Sequence, residues 1–432
     1  MLTKELYKNY TEILKEELVP AMGCTEPIAI AYASAKAKSI LGEEPEKIFA
    51  SCSGNIIKNV KGVVVPNSGG QKGIEAAAIL GAVGGDPKKE LEVISNATDE
   101  ARKLTKKLVS EKFCDVQLAE NVPNLYIEVK MQGKNHKSLV KIENSHTNIT
   151  RIERDEKILF ENTQTKTETK TSTTNKNLMT LKGIIDYANE VEIEDVKGIL
   201  DRQIEYNTKI SQEGLDNKWG ANVGKTILEV WGNSVRSRAC ARAASGSDAR
   251  MSGCPLPVVI NSGSGNQGIT VTLPVLEYAK EWCISQEKLY RALTVSNLIS
   301  IYIKHYIGSL SAFCGAVSAA CGAGSAVTFM AGGDYTNISR TITNTLANVG
   351  GIVCDGAKPS CAAKIASSVH AALLAHYMGM NNNEFRGGEG FVEDDVEKTI
   401  KNMGYIGKIG MKETDKEILN VMIDKIDVDS CL

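Results

Sequence analysis

Two stretches of this chain place cysteines where thiol chemistry is altered by local structure. One reads Cys354-Asp-Gly-Ala-Lys-Pro-Ser360-Cys361 and runs directly into an Ala-rich segment ending near Met378. A Gly/Pro turn separates its two thiols, Ser360 suits a helix N-cap, and Cys361 then becomes the first helical residue. A thiol there meets the unpaired amides and positive end of the helix, which favours thiolate, the metal-binding form. The other stretch lies some forty residues upstream, where Cys314 and Cys321 sit in an equally Gly/Ala-rich setting. All of these thiols would also serve as small buried side chains in tightly packed helices. Near the amino terminus, Gly23-Cys24-Thr25-Glu26-Pro27 precedes an apolar run to Ile40. With Thr25 as N-cap and Pro27 in the first turn, Cys24 stands just ahead of a helix, where a lowered pKa is expected. An inert thiol in a turn is the alternative.

Two further loops share one plan. Asn67-Ser68-Gly69-Gly70-Gln71 and Asn261-Ser262-Gly263-Ser264-Gly265-Asn266-Gln267 each follow apolar residues and lead into a helix. Such loops present amides and hydroxyls that suit a small carboxylate, and their similarity suggests an internally repeated site. Arg236, Arg238, Arg242 and Arg250 precede the second loop. They suit either bidentate carboxylate binding or surface ion pairs.

The elements that must position these groups are bounded by composition. At 432 residues with 42% hydrophobic and 24% charged content, the chain has room for two or three domains with a large core. A formal charge of −2 gives no electrostatic reason for a nucleic-acid or membrane partner. Eleven cysteines, odd in number and without a CxxC pair, exclude a secreted disulfide framework and a zinc ribbon. Tyr306–Gly333 carries no charge, but its Ala, Gly, Ser and Cys read as closely packed buried helices rather than a membrane span. The amino-terminal residues alternate charged and apolar at helical spacing and lack a signal peptide's apolar core, so a cytoplasmic protein is expected.

The pattern predicts an α+β protein: a mainly helical catalytic domain with a small antiparallel α+β insert. Residues 1–85 form the first helical part and 86–161 the insert. Period-two alternation marks a strand at 124–131, and 138–143, 147–152 and 157–161 continue as short strands, with a charged helix over 87–112. Residues 162–177, rich in Thr, Lys and Glu, read as a mobile linker, and 178–432 as the second helical part.

Together, the Gly-Cys24-Thr-Glu-Pro turn, the paired Asn-Ser-Gly loops and Cys314…Cys354…Cys361 resemble the L-cysteine desulfidases, relatives of the iron–sulfur L-serine dehydratases. The resemblance covers nearly the whole chain. It implies a 4Fe-4S cluster held by Cys314, Cys354 and Cys361, one iron being left open to substrate, with Cys321 competing for the place of Cys314. It also implies Cys24 as acceptor of the α-proton. Asn67, Ser68, Gly69, Asn261, Ser262, Gly263 and Ser264 would then hold an amino acid. The expected activity is elimination of sulfide and ammonia from L-cysteine to give pyruvate. L-serine dehydration by the same site, or a non-catalytic sulfur- or iron-binding protein, are the alternatives. The dehydratases carry a cysteine in the second loop where this chain has Gln267. A small amino-acid substrate and a homo-oligomer are expected, with neither nucleic acid nor membrane as partner.

Overall fold

The computed structural model describes residues 2–162, 174–308, 310–427 and 429. It is an α+β protein, mainly helical, with one six-stranded sheet and a separate two-stranded ribbon among those residues. The sheet runs β3-β2-β4-β5-β6-β7, with β2 at Pro45–Cys52, β3 at Cys114–Leu118, β4 at Tyr126–Gly133, β5 at Lys137–Glu143, β6 at Ile149–Arg154 and β7 at Lys157–Glu161. The ribbon pairs β1, Pro20–Met22, with β8, Pro257–Val259.

The four segments expected as strands are strands, and in β4 the period-two alternation matches its burial. The sheet is not confined to 86–161, however, because β2 comes from 1–85, expected to form the first part of the mainly helical domain. It alternates half-exposed residues with buried Ile48, Ala50 and Cys52. Nor is the sheet wholly antiparallel: β2 and β3 pair parallel. Three helices, Gly54–Val60, Gly73–Gly84 and Asp99–Ser110, lie between them and provide the crossover that parallel neighbours need. The charged stretch 87–112 divides into a 3₁₀ turn, Pro87–Glu92, and the helix Asp99–Ser110. Of the linker expected at 162–177, residues 163–173 lie outside the described residues.

Two large hydrophobic cores result, with a small third cluster of Cys24, Val63 and Met251. One fills the helical body; the other joins the sheet to helices Thr25–Leu41 and Gly73–Gly84. The Gly/Ala-rich run packs as its composition predicts. A β-carbon at Gly322 would lie 2.2 Å from the Ser296 carbonyl oxygen, so glycine lets helix Gly315–Met330 meet helix Gln286–Ile307 backbone to backbone. Among the described residues no helix is long and apolar enough to cross a membrane.

Candidate active site at four helix starts

A cavity of about 710 Å³ is lined by Cys24, Cys314, Cys354 and Cys361 together. Three helices begin at it through thiol-bearing residues. Cys24 occupies the N-cap of Thr25–Leu41, Cys314 that of Gly315–Met330, and Cys361 opens Cys361–Met380. A fourth helix, Gly265–Glu281, starts there at Ser264. The unpaired amides of four helices therefore give the cavity a positive potential suited to thiolates and carboxylates. Ser360 stands at its N-cap position, but its side chain makes no capping bond.

Backbone pairing explains how distant segments meet. β1 against β8 brings the Cys24 turn to the second Asn-Ser-Gly loop, where the Thr25 hydroxyl donates to the Gly263 carbonyl at 3.0 Å. An isolated antiparallel bridge, Phe313 to Val353, sets Cys314 beside Cys354: the Cys314 amide donates to Ile352 at 3.1 Å and the Cys354 amide to Ala312 at 2.6 Å.

The two Asn-Ser-Gly loops part company here. Ser262, Gly263 and Ser264 line the cavity. Asn261 lies beneath them, donating to Asn297 Oδ1 at 3.0 Å and accepting from Ser300 at 3.0 Å. Asn67, Ser68 and Gly69 are not among the lining residues. Asn67 donates to the Ile94 carbonyl at 2.9 Å and is gripped by Arg102, while the Ser68 hydroxyl donates to Gln71 at 3.1 Å. Cys321 is fully buried within its helix, away from the cavity lining.

The thiols differ sharply in their ease of ionisation. Cys24 departs from its expected low pKa: burial pushes it well up, and the Glu26 carboxylate pushes further. Its Sγ donates to Glu26 Oε2 at 2.9 Å, so it rests as a thiol. Cys361 also departs from expectation, since burial raises it despite the helix start. Cys354 moves the other way, to about 6, chiefly through the hydrogen bond from Cys314, helped by Lys58 and Lys304. The Cys314 thiol is correspondingly raised, by that same bond and by burial. Burial brings Lys304 down to about 8.

Several lining residues carried no sequence signal of a role. Glu26 is buried and receives Cys24, Thr25 and, at 2.9 Å, Asn59 Nδ2. Burial lifts its pKa, but His146, the Cys24 hydrogen bond, its own backbone amide and Arg250 outweigh that and hold it below the usual range. His146 arrives from the turn between β5 and β6, so the sheet layer supplies part of the cavity wall. Of the four arginines, Arg250 lines the cavity, whereas Arg238 pairs with Glu277 and Glu281 and Arg242 with Glu277.

Among the described residues no three His, Cys, Asp or Glu side chains converge on one metal ion. An iron–sulfur cluster asks for something different, because its thiolates bind separate irons and need not converge on one point. Three thiols on one cavity, with Cys354 lowered toward thiolate chiefly by Cys314, are the soft donor set such a cluster takes.

Residues 88–420 match the family described as serine dehydratase alpha chain, and the chain belongs to that family. Membership points to a lyase of the dehydratase or desulfidase kind. A UPF0597 protein of Lachnoclostridium phytofermentans is 52% identical over 419 residues, covering 97% of this chain and 100% of the relative. A UPF0597 protein of Desulfitobacterium hafniense is 51% identical, with 97% of each chain covered. A third, from Finegoldia magna, is 49% identical over 97% of this chain and 100% of its own.

Proposed function

We propose that the chain is an L-cysteine desulfidase, releasing sulfide, ammonia and pyruvate. The observation carrying this reading is that Cys24, Cys314, Cys354 and Cys361 line one cavity. Cys314, Cys354 and Cys361 would hold a 4Fe-4S cluster, which when bound supplies an electron-pair acceptor for the substrate's leaving sulfur. Cys354 is the thiol most inclined to ionise, through Cys314 with Lys58 and Lys304 assisting, although Lys58 also pairs with Asp415. Ser262, Gly263 and Ser264 present polar groups toward the substrate from the second loop.

Cys24 takes the α-proton. At rest its Sγ proton is held toward Glu26 Oε2 at 2.9 Å, and the small thiolate fraction formed when that proton passes to the carboxylate is the species that takes the proton from Cα. General-base catalysis of this type contributes about 10²–10⁴-fold. Loss of the β-sulfur then gives aminoacrylate, which tautomerises and hydrolyses to pyruvate and ammonia.

The test is pyruvate release by anaerobically purified protein given L-cysteine and L-serine in parallel, with iron and acid-labile sulfide counted in the same sample. Cysteine turnover with iron present supports the reading. Preference for serine, the substrate in the family's name, makes the chain a dehydratase using the same site. A full cluster without turnover of either leaves a binding protein, and absence of iron removes the cluster. A Cys24→Ser variant that keeps its iron should lose elimination.

A further inference from the structure

Among the described residues ten buried polar side-chain atoms lack a partner, and five of them belong to this one cavity's lining: Asn55 Oδ1, Asn59 Oδ1, His146 Nε2, Asn266 Oδ1 and Gln267 Oε1. Leaving such an atom unpaired costs about 1–3 kcal/mol, so a cluster of them marks a place where a ligand completes the bonding.

Two of the lining side chains have their orientation fixed. Asn59 Nδ2 donates to Glu26 Oε1 at 2.9 Å, which makes its Oδ1 the free acceptor. Arg250 is only 3% exposed, and its Nε donates to the Gly23 carbonyl at 2.8 Å. No other hydrogen bond or ion pair ties its guanidinium among the described residues, which leaves Nη1 and Nη2 as donors. A β-carbon at Gly265 would fall 2.3 Å from Arg250 Nε, so glycine at this helix start makes room for the guanidinium. A buried cation with donors to offer, and an acceptor held by a buried carboxylate, are the two halves of a zwitterion site.

We propose that Arg250 and Asn59 clamp the amino-acid portion of the ligand: Arg250 Nη1 and Nη2 take the α-carboxylate, and Asn59 Oδ1 accepts from the α-ammonium. Glu26 is a positioning residue that fixes the Asn59 amide. The inference rests on reading the cavity as an amino-acid site and adds which residues recognise the groups common to all α-amino acids. The clamp ignores the β-substituent, so it binds L-alanine, which has no leaving group.

Calorimetry on the anaerobically purified full-length protein tests this with L-alanine, propionate and ethylamine. L-Alanine should bind, and loss of either charged group should weaken binding by about tenfold or more. Arg250→Lys should weaken L-alanine and propionate by a similar factor and leave ethylamine unchanged; Asn59→Ala should weaken L-alanine and ethylamine and leave propionate unchanged. Equal loss for all three probes in either variant would mean a structural role and overturn the clamp, as would absence of L-alanine binding to the unmodified protein. The clamp and the lyase reading fail separately. The expected probe pattern without cysteine or serine turnover removes only the lyase, whereas turnover with an unchanged KM in Arg250→Lys removes only the clamp.

Discussion

The Cys24 thiol donates to the Glu26 carboxylate across 2.9 Å, inside a cavity wall where both are buried. That single contact reverses what the position of Cys24 ahead of a helix leads one to expect. Helix-start amides favour a thiolate, but removal from water and an adjacent anion both oppose it, and the two together win.

Glu26→Gln should therefore make Cys24 more reactive. Burial remains, but the neighbouring negative charge is gone, so the thiol pKa falls and more thiolate exists at a given pH. Iodoacetamide labelling of Cys24 at pH 7.5, followed by peptide mass spectrometry, should run several-fold faster in the variant. An unchanged or slower rate would show that Glu26 does not govern the thiol.

The placement of Cys24 also depends on how closely helix Thr25–Leu41 lies on helix Gly73–Gly84. A β-carbon at Gly81 would sit 2.3 Å from the Ala31 carbonyl oxygen and 2.6 Å from its Cα, backbone atoms that have no rotamer to change. Gly81→Ala should force the helices apart and cost about 1–3 kcal/mol, the usual range for overpacking. Equilibrium urea unfolding would register it as a lower midpoint, and an unshifted midpoint would mean the crossing is looser than described.

How much of this was legible depends on what each signal needed. The strands β4 and β5 declare themselves through alternation, Ile127, Val129 and Met131 with Glu128 and Lys130, and Val140 and Ile142 with Lys141 and Glu143. β2 alternates too, but its buried face is Ile48, Ala50 and Cys52, too weakly apolar to stand out beside helical neighbours. The thiols announced themselves by type and by their helix-start context. Glu26 stood in the same turn, yet nothing local says that its carboxylate will be buried against Asn59. His146 lies in an ordinary polar turn, and only the sheet's docking brings it to the cavity. The two Asn-Ser-Gly loops look alike in sequence and differ in partners: Arg102 grips one, while the other faces the cavity. Local pattern predicted elements well, and long-range pairing decided which side chains meet.

Asp248 offers a test of buried charge away from the thiols. It is fully buried, accepts the Gly224 amide at 3.1 Å, and burial raises its pKa from 3.8 to about 6. A folded pKa above the unfolded one means that the native state holds the proton more tightly. Stability is then greatest below about pH 4 and declines as pH rises through 6, by up to about 3 kcal/mol. Asp248→Asn removes the charge, though it weakens the acceptor for the Gly224 amide. Its unfolding midpoint relative to the unmodified protein should rise between pH 4.5 and 7.5, and a pH-independent difference would contradict the burial cost.

The choice between Cys314 and Cys321 as the third thiol at the cluster site is a question of geometry that iron content can answer. Cys314 lies on the cavity, and the Phe313–Val353 bridge holds it beside Cys354. Cys321 belongs to the helix that Cys314 caps, but it is sealed in the helical core, where burial raises its pKa far from thiolate formation and it hydrogen-bonds Thr345. To bind iron it would have to leave that packing and expose a buried polar partner. Cys321→Ala should therefore keep its full complement of iron and acid-labile sulfide, with a stability loss of about 1 kcal/mol, typical of a small core truncation. Cys314→Ser should lose most of both, since a hydroxyl replaces a soft ligand favoured by iron–sulfur clusters. Both variants should be purified anaerobically and checked for an intact fold by circular dichroism before counting. Retention of iron in Cys314→Ser with loss in Cys321→Ala would move the cluster off the cavity, and with it the proximity to Cys24 on which the proposed chemistry depends.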